Sequence, residues 1–204
     1  MPAIEKITSK ENTALRIIEA ATKLFAEQGY QQTTISEIAK VVGLAEGSIY
    51  DHFRGKEELL LTIPDVRVTK AIEELEIQLL GIQGAFNKLR KFLWWYIHYI
   101  QSEPMTAKVV FLFLKTNPNF MESVAYPNVQ TFYSSLIKIF EEGVESGEMA
   151  EDLDPFVARS ILLGTIEHMV IRWLLKGMTY SLFGSLEKTY RFLQGGFQKL
   201  PENG

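Results

Sequence analysis

Residues Thr34 to Phe53 read TISEIAKVVGLAEGSIYDHF, and the fold turns on this stretch. Thr34 and Glu37 make an S/T-x-x-E capping box, in which the hydroxyl accepts from the amide at the third helical position and the carboxylate reaches back. A short helix follows, with Ile35, Ile38, Ala39 and Val42 facing inward. Gly43 ends it, because a tight turn there needs a positive φ. Leu44 is a buried plug, and a second short helix runs from about Glu46 to His52 before Phe53 closes the core. Two short helices across a Gly-Leu turn give the crossing geometry that lets one of them enter a DNA major groove. An ordinary helical hairpin also places glycine at its turn, so the spacing alone leaves both readings open.

Working outward, periods of three and four recur along the chain, and no run alternates as a strand would. Upstream, a helix begins near Thr13 with an apolar stripe of Ala14, Ile17, Ile18, Ala21, Leu24 and Phe25, and Gly29 is placed to cap its end. Downstream, Arg54-Gly55 turns the chain into a fourth helix expected from Lys56 to Leu80. Pro64 falls inside it, where the missing N–H should kink or break the helix. Further helices are expected at Gly84 to Gln101, Met105 to Lys115, Asn128 to Ser146, Pro155 to Lys176 and Ser185 to Lys199, separated by glycine and proline. The expected fold is all-α with about nine helices. It has a helix-turn-helix domain at 11–56 and a helical effector-binding and dimerisation domain at 57–200. The first three helices are too small to bury a core alone and need the fourth.

Composition narrows the function. The 204 residues are 47% apolar and 23% charged, ordinary globular usage. With no cysteine, disulfides, thiolate metal sites and cysteine nucleophiles are excluded. Met1 to Lys10 is polar and unlike a signal peptide, and Phe92 to Ile100 and Val109 to Leu114 are far too short to span a membrane. A soluble, cytoplasmic protein without a membrane partner is expected. The net charge of −4 lies outside Met1 to Lys56, where seven basic and seven acidic residues balance. That balance permits a nucleic-acid partner without pointing to one. His52, His98 and His168 are scattered, no Glu-x-x-His or His-x-x-x-His pair is present, and neither a Gly-x-Ser-x-Gly elbow nor a phosphate-binding glycine loop is found. The expectation is therefore no enzyme, no cofactor and no metal.

The run IIEAATKLFAEQGYQQTTISEIAKVVGLAEGSIYDHFRGKEEL resembles the TetR family of transcriptional regulators without a gap. Leu24-Phe25, Gly29-Tyr30, Thr33-Thr34, Ile38-Ala39, Gly43-Leu44, Gly47-Ser48-Ile49-Tyr50, His52-Phe53 and Lys56-Glu57-Glu58-Leu59 carry the likeness. Glu141 to Trp173, EEGVESGEMAEDLDPFVARSILLGTIEHMVIRW, is similar to the C-terminal region of the subgroup that represses fatty-acid degradation. The resemblance implies a ligand-responsive repressor that binds a near-palindromic operator in double-stranded DNA as a homodimer and is released by a small lipophilic effector, an acyl-CoA or fatty acid. A lipid-binding bundle without DNA function, and a transcriptional activator, stay open.

By chemistry and by the resemblance, the DNA-contacting candidates are Thr34, Ala45, Glu46, Gly47, Ser48, Tyr50, Asp51, His52 and Lys56. Thr34 sits at a helix N-terminus, where its hydroxyl and free amides suit a phosphate, although it also serves as a cap. Ser48 and Tyr50 turn outward while Ile49 turns inward, and the resemblance gives Lys56 a phosphate-clamping role. Ala45 stands where the family often has a capping Ser or Thr, so this helix starts weakly. Gly47 lets backbone approach DNA closely. The acids Glu46 and Asp51 either accept from cytosine N4 or point away.

Phe86, Phe92, Trp94, Trp95, Tyr96 and Tyr99 crowd the fifth helix, with Phe111 and Phe113 following. Most are core. In the family such helices line a ligand cavity, and Trp95, Tyr99 and Phe111 are the ligand-binding candidates. The family pairs the last two helices with those of a second copy, which makes Phe156, Leu162, Thr165, Met169, Trp173, Leu193 and Phe197 the dimer candidates, with an intrachain core the competing role.

Overall fold

The computed structural model describes residues 9–198. Met1 to Thr8, and the expected helix end at Lys199, lie outside them. Among the described residues ten α-helices run in order: α1 Ser9–Gln28, α2 Ile35–Val42, α3 Glu46–Tyr50, α4 Lys56–Thr62, α5 Asp65–Leu79, α6 Ala85–Ser102, α7 Pro104–Val109, α8 Tyr126–Glu145, α9 Pro155–Leu175 and α10 Phe183–Phe197. The all-α expectation holds, and among the described residues the only β pairing is an isolated bridge between Met149 and Gln198. The tenth helix arises at Pro64. The expected Lys56-to-Leu80 helix is two pieces because Pro64, which is buried, has no N–H to give the Leu60 carbonyl.

The chain forms two compact units, one up to Arg67 together with Met105–Tyr126, the other Val68–Pro104 together with the residues from Pro127 on. In the first unit the predicted stripe of α1 is buried at Ile17, Ile18, Ala21 and Phe25. It packs with Ile38, Ala39 and Val42 of α2, Ile49 of α3, Phe53, and Leu59, Leu60 and Ile63 of α4. Val109 and Leu114 complete this core from the distant segment. That segment continues α7 as one π-turn over Val110–Leu114, closed by the Lys115 amide donating to the Val110 carbonyl at 3.0 Å. The wide turn leaves Phe111 and Leu114 buried. Asn117 and Asn119 each donate a side-chain N–H to Glu57 Oε1, at 3.1 and 3.0 Å, and so tie the segment to the first turn of α4.

In the second unit α6 is enclosed on several sides, with Leu89, Phe92, Leu93, Trp95, Tyr96, Ile97 and Ile100 all buried. Gly84 gives its first turn no cap, so Glu148 does, accepting from the amides of Ala85 and Phe86 at 3.2 and 3.3 Å. Lys88 pairs with Glu142 at 2.6 Å, and Tyr190 donates to the Phe86 carbonyl at 3.0 Å. Gly143 has to be glycine: a Cβ there would lie 2.5 Å from Met149 Sδ, and Met149 is itself buried. Asp154 caps α9, accepting from Phe156 and Val157, with Pro155 pre-set at the first helical position. Much of the Glu141-to-Trp173 stretch is thus explained by caps and close approaches.

Candidate DNA-binding surface

α2 is fixed at both ends. The Thr34 hydroxyl accepts from the Glu37 amide at 3.2 Å, and Glu37 Oε2 accepts from the Thr34 amide at 2.8 Å and from the Thr34 hydroxyl at 2.9 Å. These bonds, first the backbone one and then the hydroxyl, hold the Glu37 carboxyl below its ordinary range. The Thr34 hydroxyl spends its proton on Glu37, which leaves the first-turn amides as the outward donors of this helix end. At the other end Gly43 adopts φ 74°, and the Arg16 guanidinium donates to the Val42 carbonyl at 2.8 Å.

α3 is one turn and a half, shorter than the expected Glu46 to His52. Ala45 supplies no side-chain cap, as its chemistry predicts. Ile49 is its one buried residue, fully enclosed. Ala45, Glu46, Gly47, Tyr50 and Asp51 are exposed, while Ser48 and His52 are half-buried. Tyr50 leaves 53% of its surface in solvent, large for an aromatic, so it does not serve the core. Its acids, Glu46 and Asp51, are the only charges on the helix and its C-cap.

Lys56 is held by contacts that the sequence left unread. Its Nζ donates to the Gln31 carbonyl at 3.2 Å and sits 4.6 Å from the centroid of the Tyr30 ring. Tyr30 is braced edge-on by Phe25 at 5.2 Å. Burial, and then the charge of Glu57, push the Tyr30 phenol above its ordinary value, so it faces the ammonium as a neutral ring. The Gly29-Tyr30 pair singled out in the sequence therefore builds the seat of Lys56. One of the three ammonium protons is used, and two remain.

The ligand-binding candidates belong to both units. Trp95 and Tyr99 stack at 5.5 Å, beside a cluster of Phe92, Tyr96 and Phe132 in the second unit. Burial and the neighbouring Tyr133 hold the Tyr96 hydroxyl well above its ordinary value, so it is a neutral hydrogen-bonding group among aromatic rings. Phe111 belongs to the first unit, where the Lys115 ammonium lies 4.8 Å from its ring centroid.

Four of the dimer candidates lie inside the protomer. Leu162, Trp173, Leu193 and Phe197 are buried in the protomer's own core and have almost no surface left to give a second copy. Trp173 also donates to the Tyr180 carbonyl at 2.7 Å. Of the expected set, Phe156 is exposed, and Thr165 and Met169 are half-buried. The apolar residues left in solvent on these helices are Phe156, Val157, Ile161 and Leu175 of α9 and Phe192 of α10, the last 83% exposed. Apolar residues on nearly every face of α9 hid this distinction from the sequence.

The profile of bacterial regulatory proteins of the tetR family matches residues 17–63, and that of the YsiA-like protein C-terminal region matches 65–196. The chain belongs to the TetR family. The fatty acid metabolism regulator protein of Bacillus subtilis is 29% identical over 182 residues, 89% of this chain and 94% of the relative. The regulator TtgR of Pseudomonas putida is 25% identical over 191 residues, 87% and 88% of the two chains. FadR from Bacillus subtilis, solved in complex with stearoyl-CoA, superposes with a TM-score of 0.82 at 29% identity, covering 90% of this chain and 99% of that one. The fatty acid degradation regulator FadR from Bacillus halodurans gives 0.79 at 27%, with 90% and 98% covered. These relatives are regulators, and the resemblance drawn from the sequence, subgroup included, is borne out. Among the described residues no helix is long and apolar enough to cross a membrane.

Proposed function

We propose that this TetR-family regulator is a cytoplasmic homodimeric repressor that binds a near-palindromic DNA operator and releases it when a long-chain acyl-CoA or fatty acid binds. The carrying observation is α3, anchored through the single buried side chain Ile49 with its other faces open. Residues 11–56 serve DNA binding, and 57–200 serve effector binding and dimerisation. In the groove, Ala45, Glu46, Gly47, Ser48, Tyr50, Asp51 and His52 face bases or backbone. The amides of Ile35 and Ser36, rather than the engaged Thr34 hydroxyl, meet a phosphate, and a second phosphate takes the two remaining protons of Lys56. Two recognition helices in successive major grooves lie about 34–36 Å apart, which two copies paired through α9 and α10 would set. The exposed Val157, Ile161 and Phe192 favour that pairing, with Phe156, Thr165 and Met169 beside them. The effector reading draws on the relative that holds stearoyl-CoA and on the aromatic cluster around Trp95 and Tyr99.

The test is selection of bound sequences from random duplex DNA, followed by addition of acyl-CoAs and fatty acids of graded length. A recovered near-palindrome released by the long-chain compounds is expected. Failure to enrich any sequence would overturn the DNA reading, and indifference to every lipid would overturn the effector reading.

A further inference from the structure

We propose that the groove on the outer side of α6 binds a phosphorylated, ring-bearing anion of nucleotide type. The groove is an open surface depression of about 470 Å³ lined by Ile82, Asn87, Arg90, Lys91 and Trp94. None of its lining side chains is acidic.

Three cations project from neighbouring turns of α6, and they are treated differently. Lys88 has Glu142 at 2.6 Å, and Arg90 has Glu187 at 3.0 Å. Lys91, half-buried in the groove, has no acidic partner among the described residues. An ammonium without an acidic partner is free to pair with a bound anion, and its three donors suit phosphate oxygens. Arg90 is held in place rather than used up. Glu187 accepts from its Nε and Nη2 at 3.2 and 3.0 Å, leaving Nη1 to donate elsewhere. The Arg90 hydrogen bond, joined by Arg191, keeps the Glu187 carboxyl below its ordinary range and ionised.

The ring requirement comes from Trp94. Its indole stacks on Phe183, with centroids 4.7 Å apart and planes 23° from parallel, and 38% of the residue stays exposed. A fixed, partly open aromatic face beside two cations suits a base stacked on the indole with its phosphate toward Lys91 and Arg90. Asn87 donates its side-chain N–H to the Gln83 carbonyl at 2.9 Å, which turns its Oδ1 into an available acceptor for an exocyclic amine. Trp95, the next residue, packs instead into the interior aromatic cluster, so groove and cluster are separate features of the same helix.

This site does not require the acyl-CoA reading, because it takes the nucleotide without an acyl chain. A free nucleotide and the nucleotide end of a coenzyme A ester share the chemistry, and the probes distinguish them. Titration calorimetry of the full chain would use coenzyme A, adenosine 5′-phosphate, adenosine and inorganic phosphate, against wild type, Lys91→Gln and Trp94→Leu. Coenzyme A or adenosine 5′-phosphate should bind, with adenosine and phosphate about tenfold weaker or worse, since each offers half of the contacts. Binding of coenzyme A alone would assign the groove to the coenzyme, and binding of both would assign it to nucleotides in general. Lys91→Gln, a surface change that leaves the core intact, should weaken binding about tenfold, the scale of one charge-assisted hydrogen bond. Absence of binding by both nucleotides, phosphate binding as tight as the nucleotide, or affinity indifferent to Lys91→Gln would overturn the proposal. Operator release by acyl-CoA is scored separately, so that reading fails or survives on its own result.

Discussion

Lys56→Ala separates the contacts that one ammonium makes within the chain from the phosphate contact proposed for it. Within the chain, Nζ donates to the Gln31 carbonyl at 3.2 Å and lies 4.6 Å from the Tyr30 centroid. An exposed cation–π contact contributes about 0.5–1 kcal/mol, and a single exposed hydrogen bond a similar amount. Both share one partly solvated group, so removal should destabilise the fold by about 1 kcal/mol, a fall in melting temperature of roughly 2–4 °C for a chain of this length. On DNA, each protomer loses one phosphate contact and a dimer loses two. Each contact contributes about 0.9 to the slope of log affinity against log salt, so the slope should flatten by about 1.8. The assay is fluorescence anisotropy on the selected operator across a salt series, with a thermal melt of the same samples. An unchanged salt slope in a protein whose melting temperature has dropped would show Lys56 to be a structural lysine and refute its place at the phosphate.

Other expectations follow from single contacts. Ile161→Asp with Phe192→Asp places charges on exposed apolar positions; sedimentation should show a folded monomer with weakened operator binding, and an intact dimer would move the interface elsewhere. Glu37 has a folded carboxyl pKa below its ordinary value, so its stabilisation is present above the ordinary carboxylate range and lost as pH falls through the folded value. The melting difference between wild type and Glu37→Gln should therefore be greatest near neutral pH and shrink in acid, and a difference that grows in acid would contradict the capping box. Gly143→Ala drives a Cβ into Met149 Sδ and should destabilise by about 1–3 kcal/mol in denaturant unfolding, less so when combined with Met149→Ala; simple additivity would mean that the two do not clash. Pro64→Ala restores an amide for the Leu60 carbonyl and should join α4 to α5 and change the ratio of operator affinities with and without acyl-CoA; a ratio equal to that of wild type would show that the break at Pro64 takes no part in the effector response.

What the sequence determined is local. The capping box at Thr34 and Glu37, the left-handed turn at Gly43, the uncapped start at Ala45 and the interruption at Pro64 are set by the chemistry of residues within a few positions of each other, and each is found where that chemistry places it. Burial was legible as a pattern, but the partner in burial was not. Val109 and Leu114 belong to a short apolar run in the sequence, and only tertiary packing places them in a core with Phe25 and Leu60. On α9, apolar residues on nearly every side hid from the sequence that packing buries Trp173, a dimer candidate, and leaves Ile161, which was not one, in solvent. The seat of Lys56 on Tyr30 and Gln31, and the hold of Asn117 and Asn119 on Glu57, join residues more than twenty positions apart. No local period encodes such contacts. They exist because helices that each hide one apolar stripe bring their polar edges together only when the stripes are shared.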